Sequence, residues 1–174
     1  MVAEKIAKQL KRQGIELLIQ GQKPRQTIIS NHKKTIDKGK ASVIFGSQSF
    51  SEGLDLPGKY LTNVIITKVP FAVPTSPVEE AHAEYVKAKG GNPFMSISVP
   101  ETSKKLIQAT GRLLRNEKDY GIITLMDKRV VSKRYGKDLL KNLTNCLTMV
   151  TITLSLQSKN IHLMKTRQYQ LKCQ

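Results

Sequence analysis

The stretch ASVIFGSQSFSEGLDLPGKYLTNVIIT, residues 41–67, decides the predicted fold because it holds two apolar runs of strand length. These runs, residues 41–45 and 64–67, are rich in β-branched side chains, and loops that contain glycine separate them. Continuous apolar runs of this kind are typical of buried strands in a parallel sheet. The stretch therefore predicts two strands of such a sheet.

Strands and helices alternate on both sides of this stretch. Residues 15–19 and 121–126 predict further strands. Helical spacing predicts a helix that includes Val2, Ile6 and Leu10, and further helices over residues 78–89, 101–115 and 130–141. Another helix is expected to begin after Pro24, end near Gly39 and turn four side chains inward, namely Ile28, Ile29, His32 and Ile36. This order predicts a three-layer α/β domain with a mostly parallel sheet.

The composition favours an anionic partner. The 174 residues include 29 Lys plus Arg and 13 Asp plus Glu, which gives a net charge of +16. Such a charge is typical of proteins that bind nucleic acid or a membrane surface, and it does not distinguish between them. Aromatic residues make up only 5% of the chain and Trp is absent, so a base-stacking platform is not supported. Contacts to DNA are therefore expected to involve mainly phosphates.

Several classes of site are disfavoured. The sequence contains no apolar run near the roughly 20 residues of a membrane span, and its charged start is unlike a signal peptide, which predicts a cytoplasmic protein without a membrane partner. Cys146 and Cys173 are the only cysteines, too few for a disulfide framework or a cysteine-rich zinc or iron-sulfur site. His32, His82 and His162 lie far apart in sequence, and we expect no metal site from them.

A change in charge pattern predicts a boundary near residue 143. All 13 acidic residues lie at or before Asp138, whereas residues 145–174 carry only four charged side chains, all basic. Residues 1–143 are therefore predicted to form the domain, and residues 144–174 a basic tail. The tail is either a partly disordered or weakly helical extension, or an unrelated end created by a frameshift or truncation.

The segment LIQATGRLLR, residues 106–115, carries the most informative polar pattern. At about 100° per residue, a helix would place Gln108, Arg112 and Arg115 within a wedge of roughly 60°. Arginine offers a rigid fork of donors to phosphate oxygens and keeps its charge, so this grouping suits a nucleotide triphosphate. The alternative is the solvated polar face of an amphipathic helix.

Three motifs in one order indicate a family. They are GSQSFSEGLDLPG (residues 46–58), PFAVPTSP (residues 70–77) and QATGRLLRNEKDYG (residues 108–121). Together they resemble the second RecA-like domain of DinG-type helicases, in the XPD-like branch of superfamily 2, over about residues 1–143. The resemblance implies a RecA-like α/β/α fold and a part of an ATP-dependent DNA helicase that moves 5′ to 3′.

The resemblance also implies roles for individual residues. Residues 46–58 resemble helicase motif V, and residues 108–115 resemble motif VI. In the nucleotide site, Arg115 corresponds to an arginine finger, Arg112 to a second phosphate contact, and Gln108 to a third group facing ATP. Glu52, Gly53 and Asp55 correspond to residues that link the nucleotide to the DNA-facing loop. The alternative for the two carboxylates is simple capping of the next element.

Contacts to single-stranded DNA are expected from two loops. Ser47, Gln48 and Ser51 correspond to contacts with the DNA backbone, and a loop of Gly, Ser and Gln offers donors to phosphates without reading bases. Lys68 and Phe71 lie in or beside the proline-rich segment, which either guides a DNA strand or is only a rigid connector.

Part of an ATPase is not found in the sequence. A phosphate-binding loop G-x-x-x-x-G-K-[ST] is absent. The near match at residues 53–59 is followed by Tyr60 in place of Ser or Thr, and Pro57 removes an N–H. The resemblance implies that this loop, the Mg²⁺-binding acid and any iron-sulfur cluster belong to a preceding RecA-like domain. We therefore expect the chain alone to be inactive, as a fragment, a split gene product or a remnant of a longer frame.

The sequence also bears on two other functional classes. A non-catalytic, basic nucleic-acid-binding fragment is the main alternative, favoured by the charge and by the missing phosphate loop. An enzyme that uses a dinucleotide is disfavoured because no G-x-G-x-x-G follows a predicted strand.

Overall fold

The computed structural model describes residues 9–72, 76–113, 121–146, 150–154 and 167–170. The chain divides into two compact units, Met1–Tyr60 and Leu61–Gln174. Both units combine helices with parallel strands, so the predicted α/β class is confirmed. Of the helices in the described part of the chain, none is long and apolar enough to cross a bilayer.

The first unit contains a β-α-β element. Strand β1 (Glu16–Ile19) leads to helix α1 (Arg25–Asp37) and then to β2 (Ser42–Phe45), which pairs with β1 in parallel. A single helical turn, α2 (Gln48–Ser51), and a 3₁₀ turn (Gly58–Tyr60) follow. The strand predicted at residues 15–19 and the helix predicted after Pro24 are both confirmed.

His32 is a structural residue in the core of the first unit. Its side chain is buried beside that of Ile28 on α1, as the helical pattern predicted, while Ile29 and Ile36 are half-buried. Its Nε2 donates to the carbonyl oxygen of Tyr60 at 2.8 Å, and its Nδ1 lies 2.9 Å from the hydroxyl of Ser42. The imidazole thus joins α1, β2 and the 3₁₀ turn, which satisfies a polar group that would be costly to bury unpaired.

The second unit is built on a four-stranded sheet in the order β3-β4-β5-β6. The strands β3, β4 and β5 are parallel, and β6 is antiparallel to β5. In chain order its elements are β3 (Asn63–Ile66), α3 (Pro77–Ala88), a π-helical segment (Phe94–Ser98), α4 (Val99–Thr110), β4 (Gly121–Leu125), α5 (Arg129–Ser132), α6 (Arg134–Cys146), β5 (Val150–Leu154) and β6 (Arg167–Gln170).

One hydrophobic core holds the second unit together. On β4, Ile123 and Leu125 are fully buried, and they pack in one cluster with Leu106 of α4 and with Leu139 and Leu143 of α6. Burying side chains of this size stabilises the unit by about 1.5–3 kcal/mol each relative to exposure. The core therefore fixes α4 and α6 against the β4 strand.

Two details of the fold differ from the sequence-based expectation. The helix predicted over residues 130–141 is broken at Lys133, which is extended (φ −107°, ψ 147°). Close packing accompanies the break, because a Cβ on Gly136 would lie 2.0 Å from the carbonyl oxygen of Val130. Secondly, β2 and β3 are not fully buried: Phe45 is 54% exposed and Ile65 is 60% exposed. Each strand lies at the edge of its sheet.

Part of the predicted tail is hydrogen-bonded in this sheet. Residues 150–154 pair in parallel with β4, and residues 167–170 pair with them. The boundary near residue 143 and the two alternatives for the origin of the tail stay predictions. Four consecutive residues of VTITL are β-branched, and such residues favour strands. The rest of residues 144–174, apart from the end of α6, lies outside the described part of the chain.

Candidate functional site

The end of α4 differs from the helix predicted over residues 101–115. The helix stops at Thr110, whose hydroxyl donates to the carbonyl oxygens of Leu106 at 2.8 Å and Ile107 at 3.2 Å. Gly111 caps it, and the Leu113 N–H donates to Thr110 at 3.0 Å to form a tight turn. Glycine is about 1 kcal/mol less favourable than alanine within a helix, which favours an end at this position.

Of the three predicted phosphate-binding residues, the structure describes two. Gln108 is exposed on the last turn of α4, and Arg112 is half-buried in the turn of residues 111–113 rather than on the helix. The expectation of one shared helical face is therefore wrong for Arg112, and Arg115 lies outside the described residues. Among the residues described, no hydrogen bond or ion pair engages the side chain of Gln108 or Arg112.

The neighbouring Leu113 locates this turn within the second unit. Leu113 is 2% exposed, and a Cβ on Gly121 would lie 2.7 Å from its side chain. Gly121 is the first residue of β4. Arg112 therefore precedes a residue that packs beside the amino end of β4, whereas Lys68 follows the carboxyl end of β3.

The motif V segment begins at the carboxyl ends of β1 and β2 in the first unit. Ser47, the first predicted DNA contact, donates to the side-chain oxygen of Gln20 through its backbone N–H at 2.7 Å and its hydroxyl at 3.0 Å. Its hydroxyl also lies 2.8 Å from that of Ser49. The side chain of Gln20 thus holds the start of this loop. Gln48 and Ser51 occupy the α2 turn, and their side chains are not among those that the structure describes.

Arg25 supports the second half of this loop. Its guanidinium donates to the carbonyl oxygen of Glu52 and lies over the ring of Phe50, 5.3 Å from the centroid. Gly53 has φ +67°, a conformation that favours glycine. The side chains of Glu52 and Asp55 are exposed. Leu54 and Leu56 are buried, and they anchor the segment that leads to the 3₁₀ turn.

The near match to a phosphate-binding loop at residues 53–59 has a different structure. Lys59 donates to Asp37 at 2.6 Å, which together with a hydrogen bond from Tyr60 lowers the pKa of that carboxyl. The segment leads into a 3₁₀ turn and then β3, not into the helix that a phosphate loop requires. Its assignment as a false match stays a prediction.

At the carboxyl end of β3, Lys68 is exposed and Phe71 is half-buried. The ring of Phe71 packs against those of Phe94 and Tyr135, with centroids 5.3 and 5.5 Å away. This aromatic cluster gives Phe71 a packing role. Its contact with DNA stays a prediction.

Asp127 and Arg129 form a hydrogen-bonded ion pair in the second unit. Asp127 follows β4 and is 9% exposed. Its Oδ2 accepts from the backbone N–H of Val69 at 3.0 Å, and the Arg129 guanidinium donates to both of its oxygens at 2.6–3.1 Å. These hydrogen bonds, first among them those from Arg129, lower the pKa of Asp127 to about 2.

We expect Asp127→Asn to lower the free energy of unfolding by about 2 kcal/mol at neutral pH, because it removes a paired, buried charge. A lowered pKa stabilises the fold above the unfolded value of 3.8, and this contribution disappears as the pH falls through about 2. Urea unfolding between pH 7 and pH 2 should therefore show the two proteins converging. Asp138→Asn, which removes an exposed carboxylate, is the control. A difference that stayed constant to pH 2 would contradict the assignment.

The chain matches a protein-family model described as "Helicase C-terminal domain" over residues 1–146. It belongs to the helicase C-terminal domain family. Relatives of this chain include proteins named ATP-dependent DNA helicase DinG. It is 57% identical over 142 residues to the protein of Photobacterium profundum, a match that covers 82% of this chain and 20% of the relative. The protein of Escherichia coli (strain K12) is 43% identical over 124 residues, 71% of this chain and 17% of that relative.

These matches confirm the resemblance to DinG-type helicases drawn from residues 46–58, 70–77 and 108–121. This chain spans about one fifth of the length of the curated relatives that it matches. Sequence reasoning missed Gln20, Arg25, Asp127 and Arg129. For Asp127 a signal was present, since a carboxylate directly after a buried parallel strand lies at the edge where functional groups collect.

Proposed function

We propose that this chain is the C-terminal RecA-like domain of an ATP-dependent DNA helicase, and that it supplies motif V and motif VI to an ATP site completed by a separate RecA-like domain. The main support is the motif VI turn, where Gln108 and Arg112 have no intramolecular partner among the described residues. A guanidinium that has no counter-ion among the described residues can donate to phosphate oxygens.

At the nucleotide, Arg112 and Arg115 bind the ATP phosphates together with Gln108. Arg115 acts as the arginine finger and stabilises the charge that develops on the transferring phosphoryl group. Glu52, Gly53 and Asp55 transmit the nucleotide state to the DNA-facing loop. Among the described residues, no group of three His, Cys, Asp or Glu side chains is placed to hold a metal ion. We assign Mg²⁺, the phosphate-binding loop and any iron-sulfur cluster to the other domain.

At the DNA, the chain binds the backbone of a single strand. Ser47, Gln48 and Ser51 provide hydroxyl, amide and backbone donors, and Gln20 holds Ser47 in place. Lys68 provides an exposed cation beside Phe71. The net charge of +16 attracts the strand over longer range.

The two activities are coupled by domain closure. ATP bridges the two RecA-like domains because Arg112 and Arg115 reach the phosphates only when the cleft is closed, and hydrolysis releases this contact. Alternate gripping and release by motif V moves the pair along one strand, in the 5′ to 3′ direction that the family resemblance implies.

A second candidate is a non-catalytic fragment that binds nucleic acid through its charge. The net charge of +16 favours it. It predicts DNA binding that weakens steeply with salt and no role for nucleotide.

A structure of the longer protein with a non-hydrolysable ATP analogue and a single-stranded oligonucleotide separates the two candidates. We expect side-chain nitrogens of Gln108, Arg112 and Arg115 within about 3 Å of phosphate oxygens of the analogue. Oligonucleotide bound at Ser47 and Lys68, with the analogue distant from motif VI, would support the second candidate and contradict the first.

A further inference from the structure

The segment that follows β3 is held by a residue that follows β4. Val69 is 4% exposed, and its backbone N–H donates to Asp127 Oδ2 at 3.0 Å. Its carbonyl oxygen accepts from the N–H of Phe71 at 2.9 Å. The backbone on the carboxyl side of Lys68 is therefore fixed by a buried side chain and by two hydrogen bonds.

Arg129 holds the same segment from the other side. Its guanidinium forms a two-pronged ion pair with Asp127, and it also lies over the Phe71 ring, 5.1 Å from the centroid. Phe71 in turn packs against Phe94 and Tyr135. One side chain thus connects the carboxylate that binds Val69 with the ring two residues further along the chain.

A lysine at position 129 would not reproduce this arrangement. The ammonium group is a point charge without a planar fork, so it would pair with Asp127 through one donor and stack less well on Phe71. The loop would keep its net charge and lose its fixed geometry. This difference allows positioning to be tested separately from charge.

We propose that Asp127 and Arg129 are positioning residues that hold Lys68 in place for single-stranded DNA. The proposal rests on the DNA-binding role of Lys68 in the proposed function. Arg129 acts through the loop, since its guanidinium donates to Asp127 and lies over the ring of Phe71. Its effect on DNA affinity therefore depends on Lys68.

A double-mutant cycle on the complete 174-residue chain tests this dependence. The variants are Lys68→Ala, Arg129→Lys and both together, with Lys137→Ala as a control for loss of an exposed cation in the same unit. Affinity for a fluorescent 20-nucleotide oligothymidine is measured by anisotropy over a range of salt concentrations, and each variant is melted to measure stability. If Arg129→Lys does not fold, Asp127→Asn takes its place.

Lys68→Ala is expected to weaken binding by about threefold to tenfold. It should also reduce the slope of log affinity against log salt concentration by about one, the effect of one lost phosphate contact. Arg129→Lys should weaken binding similarly in the wild-type background and produce no further loss in the Lys68→Ala background. Its effect on melting temperature should be the same in both backgrounds, because stability does not depend on Lys68. This combination is not expected of a purely structural residue.

Two other results would overturn the proposal in different ways. If Arg129→Lys weakens binding equally in both backgrounds, Arg129 does not act through Lys68, while the DNA role of Lys68 stands. If Lys68→Ala binds like the wild-type chain, the DNA-binding role of Lys68 falls, and the positioning role falls with it.

Discussion

Replacing Arg115 by alanine in the longer helicase is expected to lower ATP turnover by about 10³- to 10⁵-fold while affinity for single-stranded DNA changes little. The guanidinium of an arginine finger stabilises charge that exists only in the transition state, so its removal affects the chemical step more than ground-state binding. Steady-state ATPase assays with saturating oligonucleotide, together with anisotropy titrations, measure the two quantities separately.

Two further variants sharpen this prediction. Arg115→Lys keeps the charge and loses the planar fork, and it should recover only a small part of the turnover. Arg134→Ala removes an exposed arginine at the start of α6 and should leave turnover near the wild-type rate. Equal losses of turnover and DNA affinity in Arg115→Ala would count against the finger role.

The strands β1 to β4 and most helices were predictable because each depends on a local pattern. The apolar run of β1 and the β-branched runs of β2, β3 and β4 carry their signal within four or five residues. The capping box of α3, in which Ser76 and Glu79 exchange hydrogen bonds, is equally local. Local patterns of this kind do not depend on the rest of the fold.

The end of α4 shows where a helical pattern misleads. The apolar and polar positions of residues 106–115 fit one continuous helix, and Gly111 was the only local sign of an end. In the structure Thr110 and Gly111 close the helix, and Leu113 is buried beside Gly121. Tertiary packing of Leu113 therefore takes precedence over the helical period, and Arg112 belongs to a turn.

The support around the candidate DNA contacts could not be predicted from sequence spacing. The hydrogen bond between Val69 and Asp127 joins residues 58 positions apart. The contacts of Ser47 with Gln20 and of Glu52 with Arg25 each join residues 27 positions apart. Such pairs form only because parallel strands bring their carboxyl ends to one edge, and the sequence does not reveal which strands are neighbours.

The purified chain is expected to hydrolyse ATP no faster than background, even with Mg²⁺ and single-stranded DNA. Compared with the longer protein of the proposed function, nearly all ATPase activity should be lost. The physical reason is that, in the proposed function, motif VI stabilises a phosphoryl group that another domain binds and orients. Without that domain the triphosphate is not held in line for attack, and correct positioning accounts for much of the rate enhancement in such sites.

The most direct measurement of the central claim is therefore the DNA-stimulated ATPase rate of the folded 174-residue chain, measured beside the same chain joined to a RecA-like domain that carries a phosphate-binding loop. Our account predicts background turnover for the chain alone, salt-dependent DNA binding by the same sample, and turnover restored by the added domain. Robust Mg²⁺-dependent turnover by the chain alone, abolished by Arg115→Ala, would contradict it.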